Sequence, residues 1–308
     1  MKQTPASSSP ILLFIRLSRP FFLLGGFLMF ALGVGIAHYL GAQINWPVYW
    51  LGQITVTLLQ LSAQYLDEFF DSEADNLNAN RTYFSGGSGL GEEQGLPRRI
   101  ALWAAFATLG GFAICVVFLY RSNLLLPEVA VLLMLSVMGA LLYSVPPVRL
   151  VNTGYGELTT SILVANLIPA FAFILQFGAF HRLLSMTTFT LTALHLAMMI
   201  SLSLPDFAND IKFGKRNLLV RLGWERGMLV HNLLIVLAYV FLALAIVEGM
   251  PLQLAWPGLL TLPLGIFQIW RMIQISQGAP TRYNLLTFTA VALFGLTAYF
   301  LAFSFWTG

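Results

Sequence analysis

Residues 21–40 read FFLLGGFLMFALGVGIAHYL, twenty consecutive positions whose only titratable groups are one histidine and one tyrosine. A helix needs about 20 mainly apolar residues to cross the hydrocarbon of a bilayer. The run is therefore long enough to span a membrane, and longer than the apolar centre of a cleavable signal, so it is expected to be retained. The polar, Ser/Pro-rich residues 1–10 ahead of it read as a short disordered tail. Working outward along the chain, eight further runs of span length follow, at roughly 47–66, 100–120, 125–143, 157–177, 186–204, 228–247, 253–271 and 284–305.

The composition agrees with that reading. Of 308 residues, 58% are hydrophobic and only 9% charged, where a soluble domain carries about 25% charged residues. So few charges cannot cover a surface facing water. The expected fold class is all-α, a polytopic membrane bundle of about nine transmembrane helices forming one domain over residues 1–308. Cys115 is the single cysteine, which excludes a disulfide framework or a thiolate metal site. The four histidines are scattered without ligand spacing, and His195, inside a predicted span, is the one placed to line a cavity. A net charge of +3 without a basic run argues against nucleic acid as a partner.

The predicted spans divide the basic residues sharply. Fourteen of the sixteen Lys and Arg side chains fall on one side, and only Arg121 and Arg182 on the other. By the positive-inside rule the amino terminus and the long loops, 67–99 and 205–227, are expected in the cytoplasm, as in a bacterial-type plasma membrane. Eleven of the thirteen acidic residues follow them, all but Glu128 and Glu248. Nearly all ionisable chemistry is thus on one face.

Two acidic clusters stand out on that face. The first, after the second span, is Asp67-Glu68-Phe69-Phe70-Asp71-Ser72-Glu73-Ala74-Asp75; its aspartates recur every four residues, which on a helix puts all three on one side. The second, after the sixth span, is Asp206-Phe207-Ala208-Asn209-Asp210. Asp206 lies 135 positions after Asp71, and Asp210 lies 135 after Asp75. The matching offset suggests two four-helix halves built alike, plus a ninth helix. Rows of like charge repel unless a cation neutralises them. Mg²⁺ takes oxygen ligands, commonly one or two carboxylates completed by substrate phosphates and water. Asp67, Glu68, Asp71, Asp75, Asp206 and Asp210 are the candidate metal ligands, and the four aspartates of the DxxxD pairs are the main candidates for catalysis. Arg81, Arg149, Lys212 and Lys215 are placed to hold the remaining phosphate oxygens.

The loops between add further candidates. Ser85-Gly86-Gly87-Ser88-Gly89 offers backbone N–H groups that approach an anion closely. Tyr143-Ser144-Val145-Pro146-Pro147-Val148-Arg149 stiffens the exit of the fourth span and fixes Tyr143 and Arg149 relative to the charged face. Glu157 stands at the mouth of the fifth span. A transporter is disfavoured because the mid-span positions carry almost no charge, and a scaffold needs no paired carboxylates. A phosphatidyltransferase of the CDP-alcohol kind lacks its Asp-Gly-x-x-Ala-Arg signature.

At these residues the chain resembles the UbiA superfamily of intramembrane prenyltransferases. Asp67 to Asp75 is similar to its first signature, NDxxDxxxD, with Asp67 in place of Asn and Glu68 in place of Asp. Arg81-Thr82 resembles the Arg-Thr that follows, and Asp206, Asp210, Gly214 and Lys215 match the second signature, DxxxD followed by Gly-Lys. Within the superfamily, Ser85–Gly89, Tyr143–Leu150, Gly154–Leu158 and Gly214–Gly223 look most like the branch that prenylates 1,4-dihydroxy-2-naphthoate in menaquinone biosynthesis. Pro205 and Asn217 depart from that branch.

The resemblance implies a central cavity under a cytoplasmic cap and Mg²⁺-dependent loss of diphosphate from a polyprenyl diphosphate. An aromatic acceptor then attacks the allylic cation, with CO₂ released in the naphthoate branch, and the tail reaches the cavity from membrane lipid. Arg81, Lys212 and Lys215 are then expected on the diphosphate, Tyr143 and Arg149 on diphosphate or acceptor, and Glu157 orienting the acceptor or a loop arginine. Alternative acceptors in the same superfamily are 4-hydroxybenzoate, homogentisate, a chlorophyll precursor or a glycerol-phosphate lipid.

Overall fold

Proline opens several of the helices, in the first turn where its missing N–H has no intrahelical partner to lose: Pro20, Pro127 and Pro263 all sit there. The computed structural model describes residues 10–76, 82, 84 and 98–308, with side chains for 14–70, 82, 84 and 98–308. In chain order the helices are α1 (Pro10–Leu17), α2 (Pro20–Tyr39), α3 (Trp46–Asn76), α4 (Arg98–Arg121), α5 (Pro127–Ser144), α6 (Gly156–Ile162), α7 (Ile168–Phe177), α8 (Arg182–Ser203), α9 (Phe207–Lys212), α10 (Leu218–Leu222), α11 (Trp224–Val247), α12 (Leu252–Leu259), α13 (Leu262–Ser276) and α14 (Tyr283–Thr307). There is no strand among the described residues, so the chain is all-α as expected.

Eight stretches are long and apolar enough to cross a membrane, counting α6–α7 and α12–α13 as one crossing each. The ninth expected span, 47–66, lies in α3, which has the length but not the apolarity. Gln53, Gln60 and Gln64, with Thr55, Thr57 and Ser62, dilute it. Several of these groups are satisfied inside the bundle, as hydrocarbon requires. Ser62 Oγ donates to Leu58 O at 2.7 Å and meets Thr108 Oγ1 of α4 at 2.9 Å.

Two crossings are interrupted for a visible reason. Between α6 and α7 the chain widens into a π turn at Leu163–Leu167. Pro169 follows, and its ring and missing N–H cannot complete an ordinary α-turn to Ala165. Between α12 and α13, with Pro257 and Pro263 on either side, the helix breaks at Leu260–Thr261. Thr261 Oγ1 repairs the break by donating to Gly258 O, and it also meets Tyr239 OH and Thr297 Oγ1 at 3.0 and 2.7 Å.

Burial separates central from peripheral helices. Of the most apolar stretch of α8, 67% is buried, against 22% of that in α4 and 28% in α11. The outer helices present apolar groups outward; Val247 is 81% exposed and Trp103 71%. Apolar residues outside and a packed core within are what a lipid solvent demands, and the chain is an integral membrane protein. At the end remote from the acidic clusters, His38 and Trp46 each stack on Trp306, and Trp306 Nε1 donates to Ala31 O at 2.9 Å.

Helices in lipid approach closely where small residues allow it. A Cβ at Gly33 of α2 would lie 2.2 Å from the carbonyl oxygen of Pro169 on α7. Neither backbone can yield without moving its helix. Gly33→Ala is expected to destabilise the protein by about 1–3 kcal/mol, read as a lower thermal midpoint in detergent. Gly25→Ala, on the same helix with open space around the added carbon, serves as the neutral comparison.

Candidate active site

Both acidic clusters lie at one end of the bundle, tied together by hydrogen bonds from the segments around them. The first does not sit in a loop, as the span prediction placed it. Helix α3 runs on past the expected span to Asn76, so Asp67, Asp71 and Asp75 ride one continuous helix, about 6 Å of rise apart on one side. The second cluster is built differently. Pro205 cannot continue α8, which ends at Ser203, and the chain restarts as α9 with Asp206 at its head. The equal offset of 135 residues is therefore not matched by equal local structure.

Arginines surround the end of α3. Glu68, 7% exposed, accepts from Arg19 Nη2 at 3.0 Å. Arg98 lies over the Phe69 ring at 4.8 Å and its Nε donates to the Phe69 carbonyl. Arg149 Nη2 reaches Phe70 O at 3.4 Å. Arg19 and Arg149 both hold left-handed backbone, at φ 41 and 43. Such a conformation costs about 1–3 kcal/mol for a bulky residue and gathers where a site over-determines it. Asp67 Oδ1 accepts from Ser144 Oγ of α5 at 3.0 Å, and Tyr143, one residue before, is partly buried.

At the second cluster, Asp210 is 5% exposed. Its Oδ1 lies 3.9 Å from Lys215 Nζ, and its Oδ2 accepts from Asn217 Nδ2 at 2.6 Å. Lys212 is exposed, with its ammonium 5.9 Å from the Phe213 ring centre. Glu157, 5% exposed at the start of α6, accepts through Oε1 from the Leu218 backbone N–H at 3.0 Å. One connecting segment, 145–157, thus reaches the first cluster through Arg149 and, through Glu157, holds the chain that follows the second.

The side chains of Asp71 and Asp75, together with Arg81 and the glycine-rich loop 85–89, lie outside the described residues. Among the described residues no three of Asp, Glu, His and Cys gather as a metal-ligand group. His195 lies in the core, with Nδ1 3.0 Å from Ser161 Oγ and its ring edge-on to Phe294. Arg19, Ser144 and Asn217 are not among the candidate site residues read from the sequence. The Arg19-Pro20 step at the head of the first span was the available signal for Arg19. No spacing rule pairs Ser144 with a residue 77 positions away.

Comparison with known proteins matches this architecture. The model of the UbiA prenyltransferase family matches residues 27–289. Among solved structures, a UbiA homologue from Archaeoglobus fulgidus bound to GPP and Mg²⁺ is 14% identical, with a TM-score of 0.60 over 96% of this chain and 100% of that one. The apo structure of a UbiA homologue from Aeropyrum pernix K1 is likewise 14% identical, with a TM-score of 0.62 over 89% and 96%. A digeranylgeranylglyceryl phosphate synthase superimposes at 0.61, also at 14% identity, over 97% and 98%. No curated protein matches the sequence. The family match covers most of the chain, its two acidic signatures fall at one end of a helical bundle of the same fold, and the protein belongs to the UbiA prenyltransferase family.

Proposed function

We propose that this protein transfers a polyprenyl group from its diphosphate to 1,4-dihydroxy-2-naphthoate, with Mg²⁺ as cofactor and with release of diphosphate and CO₂. The observation that carries the reading is the placement of two carboxylate-rich segments at one end of a prenyltransferase-family bundle, each beside fixed basic groups. Solved relatives bound to GPP or DMAPP together with Mg²⁺ support the donor and the metal. The donor set fits that ion, since Asp67, Asp71, Asp75, Asp206 and Asp210 offer only hard carboxylate oxygens. Glu68 is placed less directly, because Arg19 already takes its Oε2. When bound, Mg²⁺ neutralises charge that builds up on the departing diphosphate.

Around it, Arg149 and Lys215 stand beside the two clusters as diphosphate contacts, and Arg81 shares that role. Lys212, exposed over Phe213, is the more peripheral of the two lysines. The C1–O bond of the prenyl donor breaks with its electron pair leaving on oxygen. The ring carbon that bears the carboxylate then bonds to C1, and loss of CO₂ returns the pair to the ring. Tyr143 and Arg149 are suited to orient the acceptor, and Glu157 orders the chain that covers it. The basic asymmetry of the sequence supports a cytoplasmic location for this face. The naphthoate branch is supported by the Tyr143–Leu150, Gly154–Leu158 and Gly214–Gly223 segments, two of which contact each other through Glu157 and Leu218.

The test is incubation of purified protein with Mg²⁺, a polyprenyl diphosphate and separate acceptors: 1,4-dihydroxy-2-naphthoate, 4-hydroxybenzoate, homogentisate, a chlorophyll precursor and a glycerol-phosphate lipid. Prenylated naphthol with one CO₂ released per product is the expected result. Turnover confined to another acceptor overturns the naphthoate assignment, and failure with all of them in preparations that melt cooperatively overturns the donor assignment.

A further inference from the structure

The two ends of the Asn217 amide do different things. Nδ2 donates to Asp210 Oδ2 at 2.6 Å, and Oδ1 accepts from the Val220 backbone N–H at 2.9 Å. Asn217 is 8% exposed and Asp210 5% exposed, so water competes poorly for either contact, and a satisfied polar pair in low dielectric holds its geometry firmly. The helix that Asn217 caps, α10, has five residues, too few to be stable alone. It is braced from the bundle: Glu157, in the first turn of α6, accepts from Leu218 N–H at 3.0 Å. Just before it, Gly154 at φ +74 runs so close to α10 that a Cβ there would lie 2.4 Å from Arg221 Cδ. Bundle, short helix, Asn217 and Asp210 form one unbroken chain of contacts.

We infer that Asn217 is a positioning residue, which holds the Asp210 carboxylate in one orientation for a divalent cation, and that Glu157 anchors the short helix carrying this clamp. The inference rests on the metal-binding reading of Asp210. A carboxylate whose orientation is already held by a buried amide gives up little further freedom when a cation arrives, and outer partners of this kind tune metal affinity. A simple helix cap makes a different demand. Serine is as good a cap as asparagine, but its shorter side chain cannot also reach Asp210.

The test uses the full chain in detergent with Mn²⁺ as a spectroscopic probe in the presence of inorganic diphosphate, the free ion being followed by electron paramagnetic resonance. Asn217→Ser keeps an oxygen for Val220, so its metal-free thermal midpoint is expected within about 2 °C of the parent, while its half-saturating Mn²⁺ concentration rises about tenfold. Turnover at saturating Mg²⁺ returns to within about threefold of the parent, because the defect lies in metal affinity. Glu157→Ala reaches the same clamp from the bundle and raises half-saturation about threefold, whereas Glu157→Gln, which keeps an acceptor for Leu218, restores it. Asp210→Asn is the control for the underlying reading. Parental Mn²⁺ affinity in Asn217→Ser and Glu157→Ala, with weakened binding in Asp210→Asn, overturns the positioning role alone. Parental affinity in Asp210→Asn overturns the metal role of Asp210 itself.

Discussion

Asp210→Asn is expected to lower turnover by about a thousandfold at saturating Mg²⁺ while the protein folds and migrates in detergent as the parent does. The magnitude follows from what the carboxylate is asked to supply. Metal neutralisation of a departing diphosphate stabilises the transition state by several kcal/mol, and about 4 kcal/mol corresponds to a factor near 10³ in rate. Folding is spared because the substituted amide still offers Asn217 Nδ2 an oxygen at the position where Oδ2 accepts now. The same result is expected for Asp71→Ala and Asp206→Ala. Each variant is assayed with polyprenyl diphosphate and acceptor alongside a thermal melt. Near-parental turnover in any of the three would falsify the assignment of that carboxylate to the metal.

The second large effect is structural. Arg19→Ala is expected to cost about 3 kcal/mol of stability, the low end for breaking a buried ion pair. Glu68 is the reason: its side chain is 8% exposed, and it would be left charged without Arg19 Nη2 at 3.0 Å. The low end applies because the Arg19 side chain is 20% exposed and therefore partly solvated already. The thermal midpoint is expected to fall by roughly 5–10 °C. Most of that loss returns in the double variant Arg19→Ala/Glu68→Gln, since a neutral amide is far cheaper to bury without this arginine than a carboxylate is. A double-mutant cycle with no coupling between the two positions contradicts the pairing. The one acid beyond the family signature is Asp67, in place of Asn, and it accepts from Ser144 Oγ at 3.0 Å, while Glu68, in place of Asp, is paired with Arg19 at the head of α2.

How much of this was legible in the chain varies from element to element. The apolar run at 21–40 matches α2, Pro20–Tyr39, almost residue for residue, because a membrane-crossing helix is specified by local composition and length. The run at 47–66 was harder. Its glutamines are polar by composition yet lie inside the bundle, Gln53 at 1% exposure, and the helix continues ten residues beyond the apolar stretch. Hydropathy reports where a helix meets lipid, and it is blind to where a helix ends in water. The second cluster shows the converse: Pro205, a departure visible in the sequence, is the residue that separates α8 from α9.

Length, hydropathy and the spacing of Asp67, Asp71 and Asp75 are properties of neighbours along the chain, and from these the sequence by itself determined an all-helical membrane protein with its charge on one face and two acidic signatures. The partners of those acids were decided only in three dimensions. Ser144 meets Asp67 across 77 positions, Arg19 meets Glu68 across 49, and Glu157 meets Leu218 across 61. A hydrogen bond is short and directional while the segments joining its ends are long, so its partner is chosen by how the helices pack, and no periodicity in the sequence encodes that choice.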